Sequence, residues 1–134
     1  MISYDGVPKL MDLGIAGMVN SSLLNDQEFM GTALYAAPEL IKGVDIDRRT
    51  DIYAMGVTIF EIIAGYNPFS ASTQEEILEM HLNGELPDED LIPQNLLSIL
   101  RRSTARKKLK RYQSARLFSD QLKEFLFDYA SNSI

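Results

Sequence analysis

Four groups of residues in this chain have types and spacing that could do chemistry. Asp12 stands two positions before Gly14 in MDLGIAG, a carboxylate beside a backbone hinge. Ser21 and Ser22 lie in MVNSSLLNDQEFM, a polar stretch with neither proline nor glycine. Pro38 and Glu39 fall near the end of the compact motif GTALYAAPEL. Seven of the 13 basic residues crowd into positions 101–111: Arg101, Arg102, Arg106, Lys107, Lys108, Lys110 and Arg111. By spacing alone each group has an ordinary reading: a turn carboxylate, loop polarity, a surface charge and a solvated basic loop. The basic run could meet an anionic partner such as nucleic acid, lipid or an acidic protein. However, no aromatic residue interleaves it before Tyr112. Taking those seven positive charges from the net −6 leaves the rest of the chain at −13. An acidic body repels phosphate at long range, which argues against nucleic acid. Cysteine is absent, so disulfides and thiolate metal sites are excluded. His81 is the sole histidine, which argues against a His-based zinc site and gives it the reading of a plain helix-face residue.

The elements that must position these groups are mainly helical. A length of 134 residues fits one domain able to bury a core. The start, MISYDGVPKLMDLG, predicts a short β-hairpin turning at Asp5-Gly6. Residues 15–30 follow no clean period and predict a long loop, a kind that is usually functional or mobile. APELIKG predicts a short helix closed by Gly43. TDIYAMGVTIFEIIAG predicts a helix capped by Thr50 or Asp51 and stopped by Gly65. Its apolar residues surround the axis, so it is expected to be a buried central post. Thr73 and Glu76 are spaced as a capping box for the next helix, whose inner face would hold Ile77, Leu78, His81 and Leu82. PQNLLSILRR, with Pro93 in its first turn, would turn Leu96, Ile99 and Leu100 inward. The last helix would bury Phe118, Leu122, Phe125, Leu126 and Tyr129, spaced by three and four. The longest apolar run, residues 52–64, is interrupted by Thr58 and Glu61 and is too short to span a bilayer. The N-terminus lacks a signal-peptide pattern. A cytoplasmic location is expected for this segment.

The ordered set KLMDLGIA, GTALYAAPE, TDIYAMGVTIFEIIAGYNPF and RYQSA resembles the C-terminal lobe of eukaryotic-like serine/threonine protein kinases, in particular the bacterial branch. The likeness runs from about residue 1 to residue 127. It implies a protein-kinase-like C-lobe: a short β-hairpin plus about five helices around a buried central helix. It divides one partial domain into a hairpin with a metal-binding motif (1–14), an activation segment (15–39) and a helical subdomain (40–130). By resemblance, Asp12 holds Mg²⁺ against the ATP phosphates, and Gly14 lets it swing. Leu13 replaces the usual phenylalanine. Ser21, Ser22 and, less favoured, Thr32 are the candidate phosphoacceptors. Thr32 also matches the threonine that helps select Ser/Thr hydroxyls. Leu34 and Tyr35 match the loop receiving the substrate residue after the phosphoacceptor. Glu39 is expected to pair with buried Arg111, and Asp51 to anchor the catalytic-loop backbone.

The family's Gly-rich loop, strand lysine, partner glutamate and catalytic loop have no counterpart here. The chain therefore reads as a fragment beginning inside a longer protein, with Met1-Ile2-Ser3 as the tail of the catalytic loop. ATP and Mg²⁺ are expected in the full-length protein, and neither is expected bound to this segment. No complete catalytic set is present, so the chain alone is expected to be inactive. Its expected partners are protein substrates of the parent, the missing N-lobe, and further copies of itself through exposed surface. A membrane anchor could lie outside the segment. The competing reading is a non-catalytic remnant or interaction module that docks partners.

Overall fold

A computed structural model describes residues 33–132. The expected hairpin and the 1–14 motif lie outside the described residues. So does the activation segment up to Thr32. The described elements are α1 (Pro38–Lys42), α2 (Arg48–Ala64), α3 (Gln74–Asn83), α4 (Gln94–Ser103), a 3₁₀ turn (Lys108–Lys110) and α5 (Ala115–Asn132). No strand occurs among these residues. No helix among them is long and apolar enough to cross a membrane.

Helix α2 is the centre. It packs against α4 and α5, which also pack against each other, while α1 packs against α3. Ile52, Tyr53, Ala54, Val57 and Phe60 are buried on it, as its apolar pattern demands. Its last turn reaches solvent, and Ile62 is 74% exposed there. At Gly56 the helix meets the end of α4: an added Cβ would sit 2.0 Å from Ser103 Oγ. The absence of a side chain at Gly56 therefore sets how closely the two helices approach.

The start of α2 differs from expectation. Asp47 is the N-cap, not Thr50 or Asp51. Its carboxylate accepts from the Arg49 amide at 2.8 Å, and Thr50 Oγ1 accepts back from the Asp47 amide at 3.4 Å. The expected end holds: Gly65 closes the helix with φ 84°, a conformation that costs a glycine little. Gly43 closes α1 in the same way, at φ 71°.

Two inner stripes also differ. On α4, Leu97 is fully buried beside Leu96 and Leu100, while Ile99 is only half-buried. On α5, Phe118 and Phe125 are buried, but Leu126 is 60% exposed and Tyr129 55%. Leu126 lies off the inward face although α5 still runs beside α4 there, Phe125 and Asp128 lining a groove with Asn95 and Ser98.

The basic run is only in part a solvated loop: Arg102, Arg106, Lys107 and Lys110 are exposed, yet most of its cations are engaged. Arg101 donates to the Leu86 carbonyl and to Asp88, and Arg106 donates to the Asn83 carbonyl. Lys108 Nζ donates to the Asp45 carbonyl and pairs with Asp47 at 3.3 Å. Arg102 lies over the Tyr112 ring, 4.3 Å from its centroid. Most of these cations satisfy carbonyls that turns and helix ends leave open.

Candidate functional site

The polar centre of the described chain is built on Arg111, which is fully buried. Such a charge needs partners on every donor. The guanidinium has five N–H groups in a fixed fork, and each finds an acceptor. Two reach Glu39, at 2.6 Å to Oε2 and 2.8 Å to Oε1, a bidentate pair across 72 positions of sequence. The other three reach the carbonyls of Ala105 (2.6 Å), Arg49 (3.1 Å) and Arg106 (3.3 Å). Thr50 Oγ1 donates to Glu39 Oε2 at 2.7 Å, and the Tyr53 ring lies under the guanidinium at 4.9 Å. Burial alone would raise the Glu39 carboxyl. The hydrogen bonds from Arg111 and Thr50 outweigh it and hold the group below its usual range.

This hub fixes one end of the turn at residues 33–37, because Glu39 sits in the first turn of α1. A second tie lies beside it. Tyr35 Oη donates to Glu61 Oε2 on α2 at 2.6 Å. Desolvation, followed by that bond to a carboxylate, pushes the Tyr35 hydroxyl up to about 12. Leu34 is half-buried in the same turn, and Ala33 and Ala36 are buried. The Ala36 amide donates to the Ala33 carbonyl at 3.1 Å, closing the turn.

A third group lies deeper. His81 on α3 is fully buried, so it is more than a helix-face residue. Its Nδ1 is 2.7 Å from Tyr53 Oη, and its ring centroid is 4.3 Å from that of Phe69. Desolvation pulls the imidazole down to about 4, so it is neutral near pH 7.

Of the residues singled out in the sequence, Glu39 and Arg111 are joined directly, and Leu34 and Tyr35 lie in the adjoining turn. Asp51 is not drawn into the hub. It sits on the outer face of α2's first turn and accepts no hydrogen bond among the described residues. Although its edge is open to solvent, desolvation by neighbouring chain raises its carboxyl. Asp12, Gly14, Ser21, Ser22 and Thr32 lie outside the described residues. Among those described, no three His, Asp or Glu side chains converge as a metal site. Thr50, Glu61 and His81 were not recognised as part of this centre from sequence. Glu61 and His81 carried a faint signal, each being a polar residue in an otherwise apolar helical pattern.

The protein kinase domain family matches residues 1–128. A tyrosine-protein kinase, MasK of Myxococcus xanthus, is 37% identical over 98% of this chain and 21% of its own length. A probable serine/threonine-protein kinase of Clostridium acetobutylicum is 31% identical over 98% of the chain and 21% of its own length. The serine/threonine-protein kinase PrkC of Bacillus subtilis is 30% identical over 86% of the chain and 18% of its own length. The chain thus spans about a fifth of the length of these relatives.

Proposed function

Since this chain belongs to the protein kinase domain family, we propose that it is the C-lobe portion of a kinase that transfers the γ-phosphate of ATP to serine or threonine hydroxyls of proteins. The single observation that carries this reading is the buried Glu39–Arg111 pair, with its bidentate bonds of 2.6 and 2.8 Å. It ties the turn at residues 33–37 to the helical body, and a rigid turn there can present a substrate segment in fixed register. Phosphoryl transfer is largely positioning and charge stabilisation, so such rigidity bears on rate. Leu34 and Tyr35 would line the floor under the substrate residue next to the phosphoacceptor.

The family's nucleotide chemistry needs Mg²⁺ to neutralise the phosphates, and the ion prefers a set of oxygen ligands. In this chain Asp12 would supply one oxygen ligand, with Gly14 allowing its approach. Ser21, Ser22 or Thr32 would accept phosphate in the segment 15–39. Asp51, with no partner among the described residues, would be left to anchor backbone from the catalytic loop. One carboxylate is too little to hold a metal nucleotide, so the chain alone would be inactive. Its partners would be protein substrates and an N-lobe, and it would work in the cytoplasm.

The choice of serine and threonine over tyrosine rests on Thr32 and on the names of the Clostridium and Bacillus relatives. The Myxococcus relative bears the name of a tyrosine kinase. Phosphoamino-acid analysis of the products decides between them. The test of the whole reading is radiolabelled phosphate transfer to a mixed peptide library. It should be absent with the chain alone and appear when the chain is joined in frame to the upstream coding sequence. Turnover by the chain alone refutes the inactivity, and silence of both refutes the catalytic assignment. The second reading, a non-catalytic interaction module, draws on the exposed end of α5, where Leu126 and Phe127 are 60% and 73% exposed.

A further inference from the structure

His81 is the only histidine of the chain, and its two nitrogens have different surroundings. The nitrogen Nδ1 faces Tyr53 Oη at 2.7 Å. Among the described residues that hydroxyl has no other hydrogen bond; with the hydroxyl as donor, Nδ1 is bare and accepts its proton. A neutral imidazole carries one proton, and it is therefore on Nε2. This N–H is buried and makes no hydrogen bond among the described residues. A buried donor left open is costly, and a small shift that satisfies it is favourable. The turn packs against the helix that carries the ring, Ala36 lying with Leu78 and Leu82 of α3, and the backbone of Ala33 and Leu34 opposes part of the desolvation of the imidazole. Among the described residues no carboxylate or cation faces the ring: Phe69 flanks it, and Arg111 with Glu39 lies on Tyr53.

We propose that His81 is a positioning residue for the turn at residues 33–36, its Nε2–H capturing a carbonyl of Ala33 or Leu34 while Tyr53 fixes its tautomer. The latch joins three elements. Tyr53 belongs to α2, His81 to α3, and the carbonyls to the turn. Closing the bond needs only a small shift of the turn toward Nε2, and the closed turn would be steadier under a substrate peptide. That consequence rests on the reading of this turn as the substrate floor; the latch itself does not.

The test uses the 134-residue chain. As the sole histidine, His81 is read without assignment by long-range proton–nitrogen NMR. The expected result is one tautomer protonated on Nε2 that resists protonation well below the ordinary histidine value of about 6.5. Amide exchange supplies the second reading, because opening the turn releases the Ala36 amide from Ala33. His81→Asn is too short to reach the turn and should speed Ala36 exchange roughly tenfold, about what one net hydrogen bond is worth. Exchange in α4 should stay unchanged. His81→Gln places an amide N–H where Nε2 stood and should restore the slow rate. A proton on Nδ1, a coil-like titration, or a glutamine variant as fast as asparagine would overturn the latch. Should His81→Asn fail to fold, the wild-type tautomer still decides. Absence of phosphotransfer would sink the proposed function and leave these readings untouched.

Discussion

Among the described residues, the charge clusters built on Glu39 and on Asp47 are nearly opposite in kind. In the Glu39 cluster the guanidinium is fully buried and the carboxylate 7% exposed. In the Asp47 cluster Arg49 and Lys108 converge on a carboxylate that is 31% exposed. Both clusters have short contacts, 2.6 Å in one and 2.7 Å in the other. Distance therefore does not separate them; water does. Where water is excluded, losing one partner strands the other charge, whereas at the surface water replaces it. The buried cluster dictates architecture, and the open one tunes a helix start.

The strongest way to break this contrast is to remove one buried partner. Glu39→Ala should cost roughly 3–5 kcal/mol in a urea titration, since Arg111 would remain charged in the core. A loss as small as that of a surface pair would mean the centre relaxes to admit water. The second way is acid. Glu39 is held below its usual range, so the folded state gives up its proton more readily than the unfolded chain does. Its contribution is complete above the unfolded value of about 4.3 and is lost as pH falls through the folded value. Thermal melts from pH 6 downward should show a steep decline that Glu39→Gln flattens. The smallest effect belongs to the open cluster. Asp47→Ala should cost about 1 kcal/mol, the worth of an N-cap. Part of it should vanish in 1 M salt, where exposed charges are screened, while the Glu39 effect persists. Equal salt sensitivity at both positions would erase the distinction.

How much of this could be read in the sequence depends on the distance over which each feature is decided. The helices were legible because periodicity and the stops at Gly43 and Gly65 are local. The pairing of Glu39 with Arg111 came only through the resemblance, since no local pattern links residues 72 positions apart. The cap of α2 was misplaced by a few residues because Asp47, Thr50 and Asp51 are all competent caps. The choice fell to Asp47, which Lys108 also reaches from across the fold. The outer face of α5 was misread for a different reason. Phe118 and Phe125 face inward and Leu126 lies off that face, although α5 still runs beside α4 there, with Phe125 and Asp128 lining a groove with Asn95 and Ser98. Spacing by three and four admits several adjacent stripes, and packing chose the one through Phe118 and Phe125. The basic run misled because its acceptors are carbonyls, which no sequence displays. For His81, chemistry was legible but surroundings were not.

The five-way grip of Arg111 also bears on synthesis. Its acceptors come from positions 39, 49, 105 and 106. A ribosome adding about 5–20 residues per second needs roughly 4–14 seconds to travel from Glu39 to Arg111. Throughout that interval the nascent helices must wait with a bare acid between them, and the tunnel delays the arginine further. Completion of this centre thus waits for Arg111 to emerge, and a stall before the codon for that residue would leave an unfinished intermediate for chaperones to hold.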